Sequence, residues 1–200
     1  MNNTPLNPKT LLIPIFLSII CCNTENGKVE KEKKNLDFNI NYELLNPKAI
    51  TDDEGFMMNV PANWSPLDSL LKSKLTRSFS LLGEPTKLIL VNAFRSQGGS
   101  QCIVSKVITD KKDFSFISED IISSIQSKIH GDGYKTNTFN INNLSAKQYL
   151  VRGKNHVVIK LYIRVKEFYQ VDFIIPRTQY ETEMESIESS IGTITHKGKL

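Results

Sequence analysis

Two hundred residues carry 25 basic and 21 acidic side chains, a formal net charge of +4, and the chain is 40% hydrophobic and 23% charged. This balance fits about one domain and excludes a disordered chain, a collagen and a protein of several membrane spans. The small positive excess does not imply nucleic acid, and three cysteines are too few for a disulfide-dense mini-protein.

The first residues are polar, with one charged side chain at Lys9, and an apolar run from Leu11 to Ile20 follows. Ten helical residues reach about 15 Å, half of a bilayer's hydrocarbon core, and Pro14 weakens the run further. A positive start, a short apolar middle and a small-residue boundary make a secretory signal peptide over residues 1–21. The boundary itself is Cys21-Cys22. A Cys directly after the apolar core resembles the lipobox of bacterial lipoproteins, whose signal is cut just before a Cys that receives a diacylglycerol. That pattern has Leu three before the Cys and Gly, Ala or Ser one before it. Cys22 offers Ile19 and Cys21 there, apolar then small. Cys21 offers Ser18 and Ile20, with a branched residue where a small one belongs. Cys22 is therefore the preferred lipidation site and Cys21 the alternative; an uncleaved anchor or a plain secreted protein are the other readings. Two or more acyl chains anchor stably where one does not. The resemblance implies a mature chain held by lipid on a bacterial cell-envelope membrane, outside the cytoplasm.

Residues 22–36 alternate Lys28, Lys31, Lys33 and Lys34 with Glu25, Glu30 and Glu32 and hold little apolar surface to offset ordering. They read as a flexible polar tether, followed by a single domain over 37–200 with its core at about 55–194. Phe38, Ile40 and Tyr42 alternate as an edge strand would, and Thr51 to Gly55 is a turn. Phe56–Pro61 reads as a short strand. Ser65-Pro66 predicts a helix start, with Ser65 as N-cap and Asp68 near the positive end of the dipole. Leu67, Leu70, Leu71, Leu75, Phe79 and Leu82 keep helical spacing up to Gly83.

Lys87–Arg95 and Gln101–Thr109 are strands joined by a hairpin loop in which glycine supplies positive φ. A second helix starts near Ser118, with Ile117, Ile121, Ile122, Ile125 and Ile129 in one stripe, and ends at Gly131 and Gly133. Four hairpin-linked strands follow. Lys135–Ile141 and Ser145–Val151 flank Asn142-Asn143-Leu144. In the third, Val157 to Val165 alternates a buried face with a wetter one bearing Val158, Lys160, Tyr162 and Arg164. The fourth runs to Pro176. Thr178 to Glu181 matches a capping box, opening a last helix with Tyr180, Met184, Ile187 and Ile191 on one face and Gly192 at its end. Tight turns demand antiparallel pairing, so the fold class is α+β, a layered sandwich of helices on a largely antiparallel sheet.

Gly55-Phe56-Met57-Met58-Asn59-Val60-Pro61-Ala62-Asn63-Trp64 resembles the F-x-(x)-x-V-P-x-x-W opening of PsbP/Mog1-like domains, a family that includes DcrB-type bacterial lipoproteins. Tyr169 to Pro176, then Tyr180 and Ile187 to Ile191, are similar to that family's ending. The resemblance covers roughly 55–194 and implies an α/β/α sandwich. It also implies action by binding, since the family has no shared catalytic residues to carry over.

No catalytic motif is present. His130, His156 and His196 share no metal-ligand spacing, and Gly98-Gly99 lacks the Lys and Ser/Thr of a phosphate loop. Asp52, Asp53 and Glu54 would be a weak calcium site, because calcium needs six or more oxygens. Asp172, on a largely apolar strand, is expected to pair across the sheet with Lys160 or Arg164. Cys102 reads as buried and inert. Trp64 is either a partner-facing aromatic, the one weak binding candidate, or a plug at the end of the core. No metal or cofactor is expected. The expected function is a non-enzymatic envelope lipoprotein that binds a protein partner and no nucleic acid. The alternative is a small-molecule or lipid-binding lipoprotein with a pocket between helix and sheet.

Overall fold

Alternating apolar residues satisfy themselves by stacking sheet faces on other elements, and this chain builds two sheets to do so. The computed structural model describes residues 35–80, 87–117, 119–131 and 133–197. The leader, Cys21, Cys22, the tether up to residue 34, Leu82, Gly83 and Ser118 lie outside them. The strands are β1 (Ile50–Thr51), β2 (Phe56–Met58), β3 (Ser65–Pro66), β4 (Lys87–Arg95), β5 (Gln101–Ile108), β6 (Tyr134–Ile141), β7 (Leu144–Arg152), β8 (His156–Arg164), β9 (Phe168–Pro176) and β10 (Thr195–His196). The helices are α1 (Ser69–Ser80), α2 (Glu119–Lys128) and α3 (Tyr180–Gly192). The larger sheet has seven strands in the order β3-β4-β5-β9-β8-β7-β6, and the smaller runs β1-β2-β10. Every pairing between these strands is antiparallel.

One face of the large sheet presents Cys102, Val104, Ile159, Leu161, Val171 and Phe173 to Phe56 and Met58 of the small sheet and to Ile187 and Ile191 of α3. The other presents Val107, Tyr149, Val151, Val158, Tyr162 and Phe168 to Ile122 of α2 and to Phe116 and Ile117 before it. Beside that cluster, Ala93 and Ile103 meet Leu75 of α1. Helices therefore cover both faces, the α/β/α arrangement that the resemblance implied, on a sheet whose antiparallel pairing the tight turns predicted. Trp64 is 4% exposed and packs edge-on to Phe173, with ring centroids 6.1 Å apart.

Several local expectations are overturned. Phe38, Ile40 and Tyr42 form no strand: Phe38 and Ile40 lie along α3, where a Cβ on Gly192 would come within 2.6 Å of Phe38 Cβ. Gly192 is thus the last helical residue rather than a stop signal, present because another chain segment crosses it. Tyr42–Leu44 is a 3-10 turn. Ser65-Pro66 is the short strand β3, paired with Arg95 and Phe94, so it cannot open the helix. Asp68 takes the capping role instead, its carboxylate accepting from Leu71 N–H at 2.8 Å. Leu70 leaves the expected stripe and is 64% exposed. The capping box is not made: residues Arg177–Gln179 form a 3-10 turn, and α3 starts at Tyr180 without a side-chain cap.

α2 closes one residue before its glycine. His130 adopts the left-handed conformation at φ 50°. Its N–H and that of Gly131 reach back to Ser127 and Gln126 carbonyls at 3.2 and 2.8 Å, a Schellman closure with histidine in the usual glycine position. The β8 face expected to be wetter is buried, with Val158, Lys160 and Tyr162 at 5%, 5% and 2% exposure, because α2 and its preceding loop cover it. His196 lies in β10 and pairs with Phe56 of β2.

Candidate functional site

Two regions hold polar groups in unusual settings: a buried row on the helix-covered face and the outer border of the large sheet. The row forms because antiparallel register places Ile103, Asp172, Lys160 and Tyr149 side by side across β5, β9, β8 and β7. The next row brings Ser105, Gln170 and Tyr162 together. Lys160 Nζ donates to Asp172 Oδ1 at 2.6 Å, and Gln170 Nε2 donates to Asp172 Oδ2 at 2.6 Å. Both carboxylate oxygens are therefore engaged, and the cross-sheet partner of Asp172 is Lys160 as expected. Lys160 Nζ also sits 5.6 Å from the centroid of the Tyr162 ring. Burial, reinforced by the Asp172 charge and by Tyr149, pushes the Tyr162 hydroxyl well above its ordinary range. Ser105 Oγ is buried without a hydrogen-bond partner.

The other residues singled out in the sequence are committed to structure. Cys102 is wholly buried, and burial together with the Asp172 charge drives its thiol pKa up, leaving no thiolate for chemistry. Asp52 Oδ1 accepts from the Glu54 and Phe56 N–H groups at 3.1 and 2.9 Å, and its other oxygen accepts from Tyr169 Oη. Glu54 is ion-paired with Lys106. These acids dock the β1–β2 turn onto the sheet. Among the described residues, no group of three or more His, Cys, Asp or Glu side chains could hold a metal. His196 Nε2 lies 3.2 Å from the Glu54 carbonyl, while His130 and His156 sit apart at a helix end and a strand start.

The sheet's two borders differ. At the β4 border, β3 covers Phe94 and Arg95, and Leu67 N–H donates to the Ala93 carbonyl at 2.9 Å. A bulge between Leu90 and Asn92 then interrupts the ladder with β5. These are devices that protect an edge. At the β6 border, Tyr134, Lys135, Thr136, Asn137 and Thr138 are all exposed, with the Tyr134 ring leaning on Tyr149 at 5.8 Å between centroids. Among the described residues no strand pairs with Tyr134–Thr138 on the outer side, while further along β6 Asn35 makes a parallel bridge to Asn140.

Hairpin geometry states which groups point away from β7. β6 and β7 are joined by Asn142-Asn143, both with positive φ, 47° and 64°, as a type I′ turn requires. The closing pair of such a hairpin, Ile141 and Leu144, exchanges both backbone bonds. Alternate residues back along β6 then point their N–H and C=O away from β7: Asn140, Thr138, Thr136 and Tyr134. The contact of Leu36 N–H with the Asn140 carbonyl, at 3.1 Å on the outer side, agrees with this phase. Beside that contact, a groove of about 260 Å³ runs between Asn35–Phe38 and the Asn142-Asn143 turn.

No signal for this border was drawn from the sequence, although one is present. Tyr-Lys-Thr-Asn-Thr favours strand yet never alternates apolar with polar, which is the pattern of an edge wetted on both faces.

No family model matches the chain, and no curated protein does. Among solved structures it is similar to the solution structure of cyanobacterial PsbP (CyanoP) from Synechocystis sp. PCC 6803. The identity is 10%, the TM-score 0.49, and the match covers 75% of this chain and 92% of that one. At that identity no residue's role passes from one protein to the other.

Proposed function

We propose that this chain is a non-enzymatic, lipid-anchored protein of a bacterial cell envelope whose domain binds another protein through the open edge of β6. The observation that carries this reading is the Tyr134–Thr138 stretch, exposed on both faces and unpaired on its outer side among the described residues. A strand edge offers alternating backbone donors and acceptors, which only another extended backbone complements over several residues. The anchor rests on the apolar run ending at Cys21-Cys22, and it would hold the domain at a membrane face where such a partner is met repeatedly.

The test uses the full chain produced with its own leader. Acyl labelling is compared among wild type, Cys22→Ala and Cys21→Ala, and labelling is expected to vanish with Cys22→Ala. Proteins captured from detergent-solubilised envelope are then compared between wild type and Thr136→Pro. The Thr136 N–H points outward, so proline there removes an edge donor without breaking a β6–β7 bond. A defined protein retained by wild type and lost by Thr136→Pro is expected. Label surviving on both cysteine variants, or captured proteins indifferent to Thr136→Pro, would overturn the anchor and the edge respectively.

A further inference from the structure

We infer that one end of the large sheet is a docking surface for anionic lipid headgroups, on the membrane that the proposed acyl anchor enters. This rests on the anchor in the reading above and not on the edge of β6.

Antiparallel register gathers distant cations at that end. The β4–β5 hairpin, the last residue of β9, the β7–β8 turn and the start of β6 all lie there, since Gln101 stands opposite Ile174, His156 opposite Pro176 and Tyr134 opposite Val151. The C-terminus of α2 joins them, because the Ile129 carbonyl accepts from Lys154 N–H at 3.1 Å. Arg95, Lys128, Lys135, Arg152, Lys154 and Arg177 are thereby brought together, spread over about 20 Å from β4 to β7. All six are exposed, and among the described residues none makes an ion pair. Backbone bonds fix the middle of the array: Gly153 N–H donates to the His156 carbonyl and Arg177 N–H to the Asn155 carbonyl, both at 2.8 Å.

Local needs do not account for the set. Lys128 complements the dipole of α2, but the strand and turn cations have no such task. Four carboxylic residues belong to the same end. Asp68 caps α1, Glu181 and Glu183 stand in the first turn of α3, and Asp132 lies outside the described residues. Residues 35–200 carry 20 basic and 18 acidic side chains, and with these six and four set aside 14 of each remain. The positive excess of the domain is therefore concentrated here.

The chemistry favours headgroups over a protein surface. A protein interface centres on desolvated aromatic or aliphatic anchors and is depleted of charge there. Among the described residues the exposed large hydrophobics are Tyr42, Leu70, Ile89, Ile108 and Tyr134, and of these Tyr134 alone stands on a strand start among the cations. Headgroup phosphates need no apolar anchor, and a purely electrostatic contact suffices where an acyl chain already keeps the bilayer at hand. Reach permits it. Residues 22–34 span at most about 45 Å when extended. Asn35, bridged to Asn140, is about 20 Å along β6 from Tyr134.

Energy transfer from Trp64 to a dansyl-labelled lipid tests this, on the full chain in vesicles. Trp64 is the sole tryptophan and precedes Ser65, which pairs with Arg95, so the indole lies toward the basic end. Transfer should rise when phosphatidylglycerol is added to phosphatidylcholine and fall back at high salt. Lys128→Gln with Lys154→Gln should weaken docking about fivefold for each lysine. Lys111→Gln with Lys112→Gln, at the opposite end, should leave it unchanged, with near-ultraviolet circular dichroism confirming the fold of both pairs. Transfer indifferent to phosphatidylglycerol or to salt overturns the inference, and so does equal loss in the two pairs. An envelope protein lost on Lys128→Gln with Lys154→Gln, while transfer ignores phosphatidylglycerol, would assign this end to a protein instead. Flotation separates the two readings. A chain that floats with phosphatidylcholine vesicles but ignores phosphatidylglycerol keeps its anchor and loses the inference. One that floats only with phosphatidylglycerol present loses the anchor and keeps the basic end as a membrane contact. One that floats with neither loses both.

Discussion

Lys160 and Asp172 show what one ion pair does inside a sheet layer. Each is nearly buried, at 5% and 8% exposure, and each neutralises a charge that could not otherwise remain there. Lys160→Met should therefore cost about 3–5 kcal/mol in urea unfolding, since it strands a buried carboxylate. Lys160→Met with Asp172→Leu should recover much of that loss, keeping only the penalty of Gln170 without its acceptor. Tyr162 makes a second residue-scale prediction. Its hydroxyl is held above the ordinary value of 10.0 by burial and by Asp172. The folded chain then keeps this proton at pH values where the unfolded chain releases it. The stabilisation is complete below pH 10 and is lost as pH rises beyond it, by up to about 1.4 kcal/mol per pH unit. Tyr162→Phe should flatten that alkaline loss in denaturant titrations, leaving the parallel contribution of Tyr169, whose proton is also retained through burial and its bond to Asp52. The oddity of an aspartate on an apolar strand was legible at position 172. That Lys160 rather than Arg164 answers it depends on the β8–β9 register, which sets Lys160 opposite Asp172 and Arg164 opposite Phe168.

At the scale of elements, the three helices are attached very differently. α3 buries Ile187, Ser189, Ser190, Ile191 and Gly192, and Ser190 Oγ donates to the Asn59 carbonyl. Over Ser69–Arg77, α1 has no buried residue. Hydrogen exchange should therefore find α1 amides opening locally, with protection well below that of α3, whose amides should exchange only with global unfolding. Equal protection in the two helices would contradict this account. Helical periodicity revealed both helices, but periodicity does not report how much of a stripe meets a partner; Leu70 fits the repeat and faces water. The Ser65-Pro66 and Thr178–Glu181 patterns failed for a related reason. Each is a sound local start signal, and in each case a nearby backbone claimed the residues first: β4 for Ser65-Pro66, a 3-10 turn for Thr178. Gly153 makes the same point, because a Cβ there would lie 2.1 Å from the Ile129 carbonyl oxygen where the β7–β8 turn crosses the end of α2.

For the whole molecule, strand number, turn positions and antiparallel pairing within the four late strands were set by the chain locally. Period-two alternation and glycine or asparagine turns act over a few residues and need no distant contact. The layered α+β architecture follows from those elements, since each apolar face must be covered. Tertiary structure alone decided which strands neighbour one another and what covers each face. It inserted β9 between β5 and β8, recruited Thr195–His196 to close the small sheet on β2, and buried the β8 face that carries Lys160 and Tyr162. Such choices depend on contacts between residues far apart in sequence, whose loop-closure cost is recovered only when the whole layer assembles.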